Sequence, residues 1–126
     1  METKTTMVSI KHELRTPINH IVGYSELMME ECDGATEQQM AMLQELNSRG
    51  QYLARLVEQV ASEATAGSVL PTGSHAEFSA VLEKIREDLL SLSHAYTGKP
   101  QMRDLERIQS AVANLTTILH DIRHSA

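Results

Sequence analysis

At 126 residues the chain has room for one domain, or for two small repeats around a shared core, and a content that is 41% hydrophobic but only 3% aromatic favours a helical bundle over a β-sandwich. A formal net charge of −6 argues against nucleic acid or an anionic membrane surface as partner. No apolar run nears the ~20 residues of a membrane span, no signal peptide is visible, and the lone Cys32 excludes an internal disulfide and suits a reducing compartment.

After the polar stretch 1–6, the first predicted helix runs from about Thr6 to Cys32. Its apolar stripe is Met7, Ile10, Leu14, Ile18, Ile21 and Met28, a helical face with one shift beside Pro17. His12 lies between Ile10 and Leu14, at ~100° per residue about 200° from each, so it points away from the core. Thr16, Asn19, Gly23 and Glu26 follow along much the same outer face. A helical Gly costs ~1 kcal/mol relative to Ala, and at Gly23 it also leaves room for the close approach of a partner.

The stretch Lys11-His12-Glu13-Leu14-Arg15-Thr16-Pro17 carries chemistry. A neutral imidazole is a usable nucleophile near neutral pH. Glu13 is the adjacent carboxylate; it can accept the other ring N–H or take up the proton released when the ring is phosphorylated. Thr16, four residues on, shares the His12 face and offers a hydroxyl that can orient a water against a phosphorylated ring. Pro17 has no N–H and crowds the Glu13 carbonyl, which predicts a bend beside the histidine.

The longer run from Ser9 to Leu27, with His12-Glu13-Leu14-Arg15-Thr16-Pro17 followed by Ile18, Ile21, Gly23, Tyr24, Glu26 and Leu27, resembles the phosphoacceptor motif of the dimerisation and histidine-phosphotransfer domain of two-component sensor histidine kinases. The resemblance implies that His12 accepts a phosphoryl group, that Glu13 assists the kinase step and that Thr16 assists phosphatase chemistry. Arg15, Asn19 and Gly23 become candidates for partner docking. The implied partners are a response-regulator receiver domain and a histidine-kinase ATP-binding domain.

Asp33-Gly34-Ala35 predicts a turn, and Thr36 with Gln39 a capping box. The second helix carries Met40, Leu43, Leu46, Gly50, Leu53, Val57, Val60 and Ala64 at near-heptad spacing, which makes an antiparallel hairpin with the first. Residues 67–73 are linker-like, and Ser74 with Glu77 reads as a second capping box. A third helix carries Phe78, Val81, Ile85, Leu89, Leu92 and Tyr96; Thr97-Gly98-Lys99-Pro100 closes it. A fourth carries Leu105, Ile108, Val112, Leu115, Leu119 and Ile122.

The second half echoes the first: Leu43, Leu46, Leu53 and Val57 align with Leu105, Ile108, Leu115 and Leu119, and Leu14, Ile18, Ile21 and Met28 with Phe78, Leu82, Ile85 and Leu92, so that His12 falls against Ala76. The expected architecture is an all-α, antiparallel four-helix bundle of two helical hairpins. Residues 4–66 form the phosphoacceptor hairpin, and residues 74–124 a second, degenerate hairpin completing the same bundle. The family's domain has two helices per chain and pairs with a second chain. Here either one chain mimics that bundle, or the first hairpin still forms a homodimer and the second packs outside.

Nothing after Gly67 supplies a Gly-x-Gly-x-x-Gly or Asp-x-Gly run, so the chain is expected to bind no cofactor itself, with Mg²⁺ and ATP acting only through partner domains. It then reads as a cytoplasmic fragment of a larger signalling protein, or as a phosphotransfer module phosphorylated by others. His120 and His124 are spaced for a metal but lack a third ligand, so no metal is expected. The alternative function is a non-catalytic dimerisation and signalling scaffold in a multidomain regulator, with His12 inert.

Overall fold

A computed structural model describes residues 7–31, 36–63 and 72–124, with the side chains of 7–10, 60–63, 72–74 and 122–124 outside that description. Four helices follow one another: α1 (Met7–Glu30), α2 (Glu37–Glu63), α3 (Thr72–Tyr96) and α4 (Met102–His124). Each packs on two neighbours, α1 on α2 and α4, α3 on α2 and α4, which closes a four-helix bundle. The stripes read from the sequence fill its core: Leu14, Ile18, Ile21 and Met28 meet Leu43, Leu46, Leu53 and Val57, and Phe78, Ile85, Leu92, Leu105, Ile108 and Leu115 complete it. Met7, Ile10, Val60, Ala64 and Ile122 lie outside the described side chains, as do Cys32 and the turn 33–35.

Local chemistry sets the helix ends. Thr36 and Gln39 form the capping box, with the Gln39 N–H donating to the Thr36 hydroxyl at 3.0 Å and the Thr36 N–H to the Gln39 side chain at 3.1 Å. Gly98, at φ +78°, turns the chain out of α3 in the left-handed conformation, and the Lys99 N–H bonds the Tyr96 carbonyl at 2.9 Å. The side chain of Ser74, half of the second expected capping box, lies outside the described residues; α3 begins at Thr72, and the Glu77 carboxylate accepts a hydrogen bond from the Tyr52 hydroxyl of α2. That bond holds the Tyr52 phenol above its ordinary pKa.

α1 and α2 approach closely. Gly50 is buried against α1, and a Cβ there would stand 2.9 Å from Val22 Cγ2 and 3.1 Å from Ile21 Cγ2. One turn away the core contains a polar pair, Ser25 and Asn47. The Asn47 amide donates to Ser25 Oγ at 3.0 Å and to the Val22 carbonyl at 3.1 Å, Ser25 donates to the same carbonyl at 2.9 Å, and Gln51 donates to Asn47 Oδ1 at 2.6 Å. The buried polar atoms are thus paired, as they must be to avoid a desolvation penalty.

The two hairpins meet along two seams. Arg49 of α2 pairs with Asp88 of α3, and the Arg107 guanidinium of α4 lies 5.3 Å from the Tyr24 ring centroid on α1. Burial pushes the Asp88 carboxyl above its ordinary pKa, against the pull of Arg49.

Candidate functional site

His12 stands on the outer face of α1, exposed, as its position off the apolar stripe predicts. Leu14 beneath it is buried and fixes the rotation of the helix about its axis. Glu13, Arg15, Thr16, Asn19 and Gly23 are exposed with it. Among the described residues neither the His12 ring nor the Glu13 carboxylate has a partner, so both stay open to an incoming group. The Thr16 hydroxyl makes one long contact, 3.5 Å, to the His12 carbonyl, and is free to turn toward a water.

α1 continues as helix through Pro17, whose ring is buried. The missing N–H leaves the Glu13 carbonyl without its helical donor, one residue from the nucleophile. Gly23 has nothing within 4 Å of the position a Cβ would take, so the outer face is flat there.

The flank of His12 is made by both helices of the hairpin. Lys11 Nζ bonds Glu58 Oε1 of α2 at 3.0 Å, and Arg15 pairs with the other oxygen of the same carboxylate. Arg15, Asn19, Ala54, Arg55 and Glu58 line a groove of about 360 Å³ beside the histidine. Lys11, Arg15 and Arg55 make this flank locally basic on a chain whose net charge is −6. Such a site favours an anionic group arriving at His12.

Of the residues singled out in the sequence, the structure brings His12, Glu13, Thr16, Arg15, Asn19 and Gly23 onto one exposed face. It adds Arg55 and Glu58, which sequence reading passes over because they sit on the polar side of α2. The signal for Glu58 was the i,i+4 pair Lys11 and Arg15, two cations on one face that need an acid opposite. No helix among the described residues is long and apolar enough to cross a membrane.

The exposed His12-Glu13 pair on the outer face of a helical bundle is the arrangement that the resemblance to a two-component histidine phosphoacceptor domain implies. The His Kinase A (phospho-acceptor) domain model matches residues 6–68, half of the chain, and the chain belongs to that family. Over 56 residues, 43% of this chain, it is 39% identical to the non-motile and phage-resistance protein of Caulobacter vibrioides and 38% identical to the cell-division control histidine kinase PdhS of Brucella canis. It spans 7% and 5% of the lengths of those two proteins. No solved structure matches the chain.

Proposed function

We propose that His12 carries a phosphoryl group on a ring nitrogen and exchanges it with an aspartate of a response-regulator receiver domain, the group entering from ATP held by a histidine-kinase ATP-binding domain. A ring-nitrogen lone pair attacks phosphorus as the bond to the leaving oxygen breaks, and the displaced ring proton passes to Glu13. In the onward step the receiver's aspartate oxygen attacks the same phosphorus and the ring nitrogen leaves. Thr16, one turn along the same face, orients a water for the competing hydrolysis. Mg²⁺ and ATP belong to the partner domains; this chain supplies nucleophile, base and docking face, so transfer rests on positioning.

The observation that carries this reading is the exposure of His12, free of partners among the described residues, beside a groove lined by Arg15, Arg55 and Glu58, with Lys11 bonded to that Glu58. Arg15, Asn19 and Gly23 form the floor on which the receiver sits. The place of action is the cytoplasm, where ATP and reduced thiols coexist. The test is intact mass after incubation with an ATP-loaded kinase domain or a phosphorylated receiver. An acid-labile phosphate absent from His12→Gln is the expected result. A folded wild-type chain that gains no phosphate from either donor would leave a structural scaffold with an inert histidine.

A further inference from the structure

We infer that α3–α4 is a built-in partner for α1–α2: it stands where the hairpin of a second copy would stand, and one chain makes a complete bundle with a single phosphoacceptor. The word phosphoacceptor rests on the function proposed above; the assembly does not.

Three observations converge. First, the sequence echo holds in space. Shifting α1 by 64 residues onto α3 matches buried Leu14, Ile18 and Ile21 with buried Phe78, Leu82 and Ile85, and shifting α2 by 62 onto α4 matches buried Leu43, Leu46 and Leu53 with buried Leu105, Ile108 and Leu115. Second, the echo extends to the surface, where no core demands it. The groove beside His12 has a counterpart of about 420 Å³ between α3 and α4. Its Ser79, Glu83, Thr116 and His120 are the positions equivalent to Arg15, Asn19, Ala54 and Glu58. At the seams Tyr24 and Asp88 are equivalent positions and each meets an arginine of the adjoining hairpin, although Arg107 and Arg49 do not themselves occupy equivalent positions. Two hairpins related in this way are packed as two copies of one hairpin would be.

Third, the faces a second chain would need are already used. The apolar stripe of α1 is 0–1% exposed at Leu14, Ile18, Ile21 and Met28. Among the described residues the large apolar side chains left exposed are Tyr52 and Leu90, on different helices, and the Tyr52 hydroxyl is bound to Glu77. A second copy docking through α1 would first have to expel α4.

The two halves have diverged in chemistry. Where α1 has His12, Glu13 and Thr16, α3 has Ala76, Glu77 and Ala80, so the acid is kept while nucleophile and hydroxyl are lost. The equivalent groove has also lost the cations at the positions of Lys11, Arg15 and Arg55, where His75, Ser79 and Thr117 stand. The bundle therefore offers one phosphorylation site; the equivalent groove keeps an arginine at Arg86, paired with Glu83, at a position with no cation beside His12.

The experiment is native mass spectrometry of the full chain over a wide concentration range, with amide hydrogen exchange on the same sample. A species of 14.0 kDa throughout, with the cores of α1 and α4 protected alike, is expected. A species of twice that mass, or a monomer whose α3 and α4 amides exchange freely, would overturn the inference. His12→Gln should give the same mass and the same protection. A wild-type chain that stays monomeric and protected but never takes up phosphate would remove the functional reading and leave the assembly standing.

Discussion

Two glycines on one helical hairpin should respond differently to the same substitution, one gaining stability and the other gaining none. Gly→Ala in a helix interior removes a backbone-entropy cost of ~1 kcal/mol. At Gly23, with no atom within 4 Å of the new Cβ, Gly23→Ala keeps that whole gain. At Gly50 the new methyl would stand 2.9 Å from Val22 Cγ2 and 3.1 Å from Ile21 Cγ2. Both are branch methyls of side chains with stiff χ1, and Ile21 is fully buried. Overpacking of this kind costs ~1–3 kcal/mol. Gly50→Ala should therefore range from neutral to about 2 kcal/mol destabilising. The separation between the two variants is ~1–3 kcal/mol, several degrees in Tm for a domain of this size. Urea unfolding followed by far-UV circular dichroism, with a shared m-value, measures both. Equal stabilisation by the two substitutions would mean that α1 and α2 do not approach as closely as described.

Other expectations are independent of that pair. His12→Gln should shift stability by no more than ~0.5 kcal/mol, since the ring is exposed and unpartnered, and thermal unfolding would detect a larger loss. Asn47→Ala strips Gln51 of its acceptor and opens a gap beside Ser25, at a cost of about 1–3 kcal/mol in urea unfolding; a neutral result would show that the polar pair is not buried. Glu58→Ala releases Lys11 and Arg15 at no more than ~1 kcal/mol of stability. It should speed labelling of His12 by phosphoramidate at low salt, with the gain fading at high salt; a rate indifferent to both would refute an electrostatic role for the groove. Asp88 has its pKa raised in the folded state, so its contribution is fully present below the ordinary carboxylate pKa and is lost as pH rises through the raised value. The stability of the wild type relative to Asp88→Asn should fall with rising pH across that weakly acidic window, and an opposite slope would show that Arg49 outweighs burial.

What was legible in the chain was local. Spacing alone located four helices and their core stripes, because a buried face repeats every three to four residues whatever it packs against. The exposure of His12 followed from the same arithmetic, and Thr36 with Gln39 capped α2 because both partners lie within one turn. The failures were long-range or competitive. The α3 start at Thr72 precedes the expected one, and Glu77 is bonded by Tyr52, 25 residues away in sequence. Arg55 and Glu58 looked like part of a solvated face, and only the antiparallel register sets them beside Lys11 and Arg15. Asn47 interrupts no pattern, and its burial depends on Ser25 lying opposite.

That buried pair also settles how the hairpin can move. Sliding α1 along α2 by one turn, ~5.4 Å, would strand the Asn47 amide among aliphatic side chains and drive the Val22 and Ile21 methyls past Gly50. The interlock works as a key cut for a single notch, so the offset between His12 and the Glu58 side of its groove is rigidly indexed. The seams between the hairpins share the buried core and add a cation over a ring and a largely buried arginine on a carboxylate. A piston stroke within the hairpin that bears the histidine is opposed by both the buried amide and the close approach of its helices.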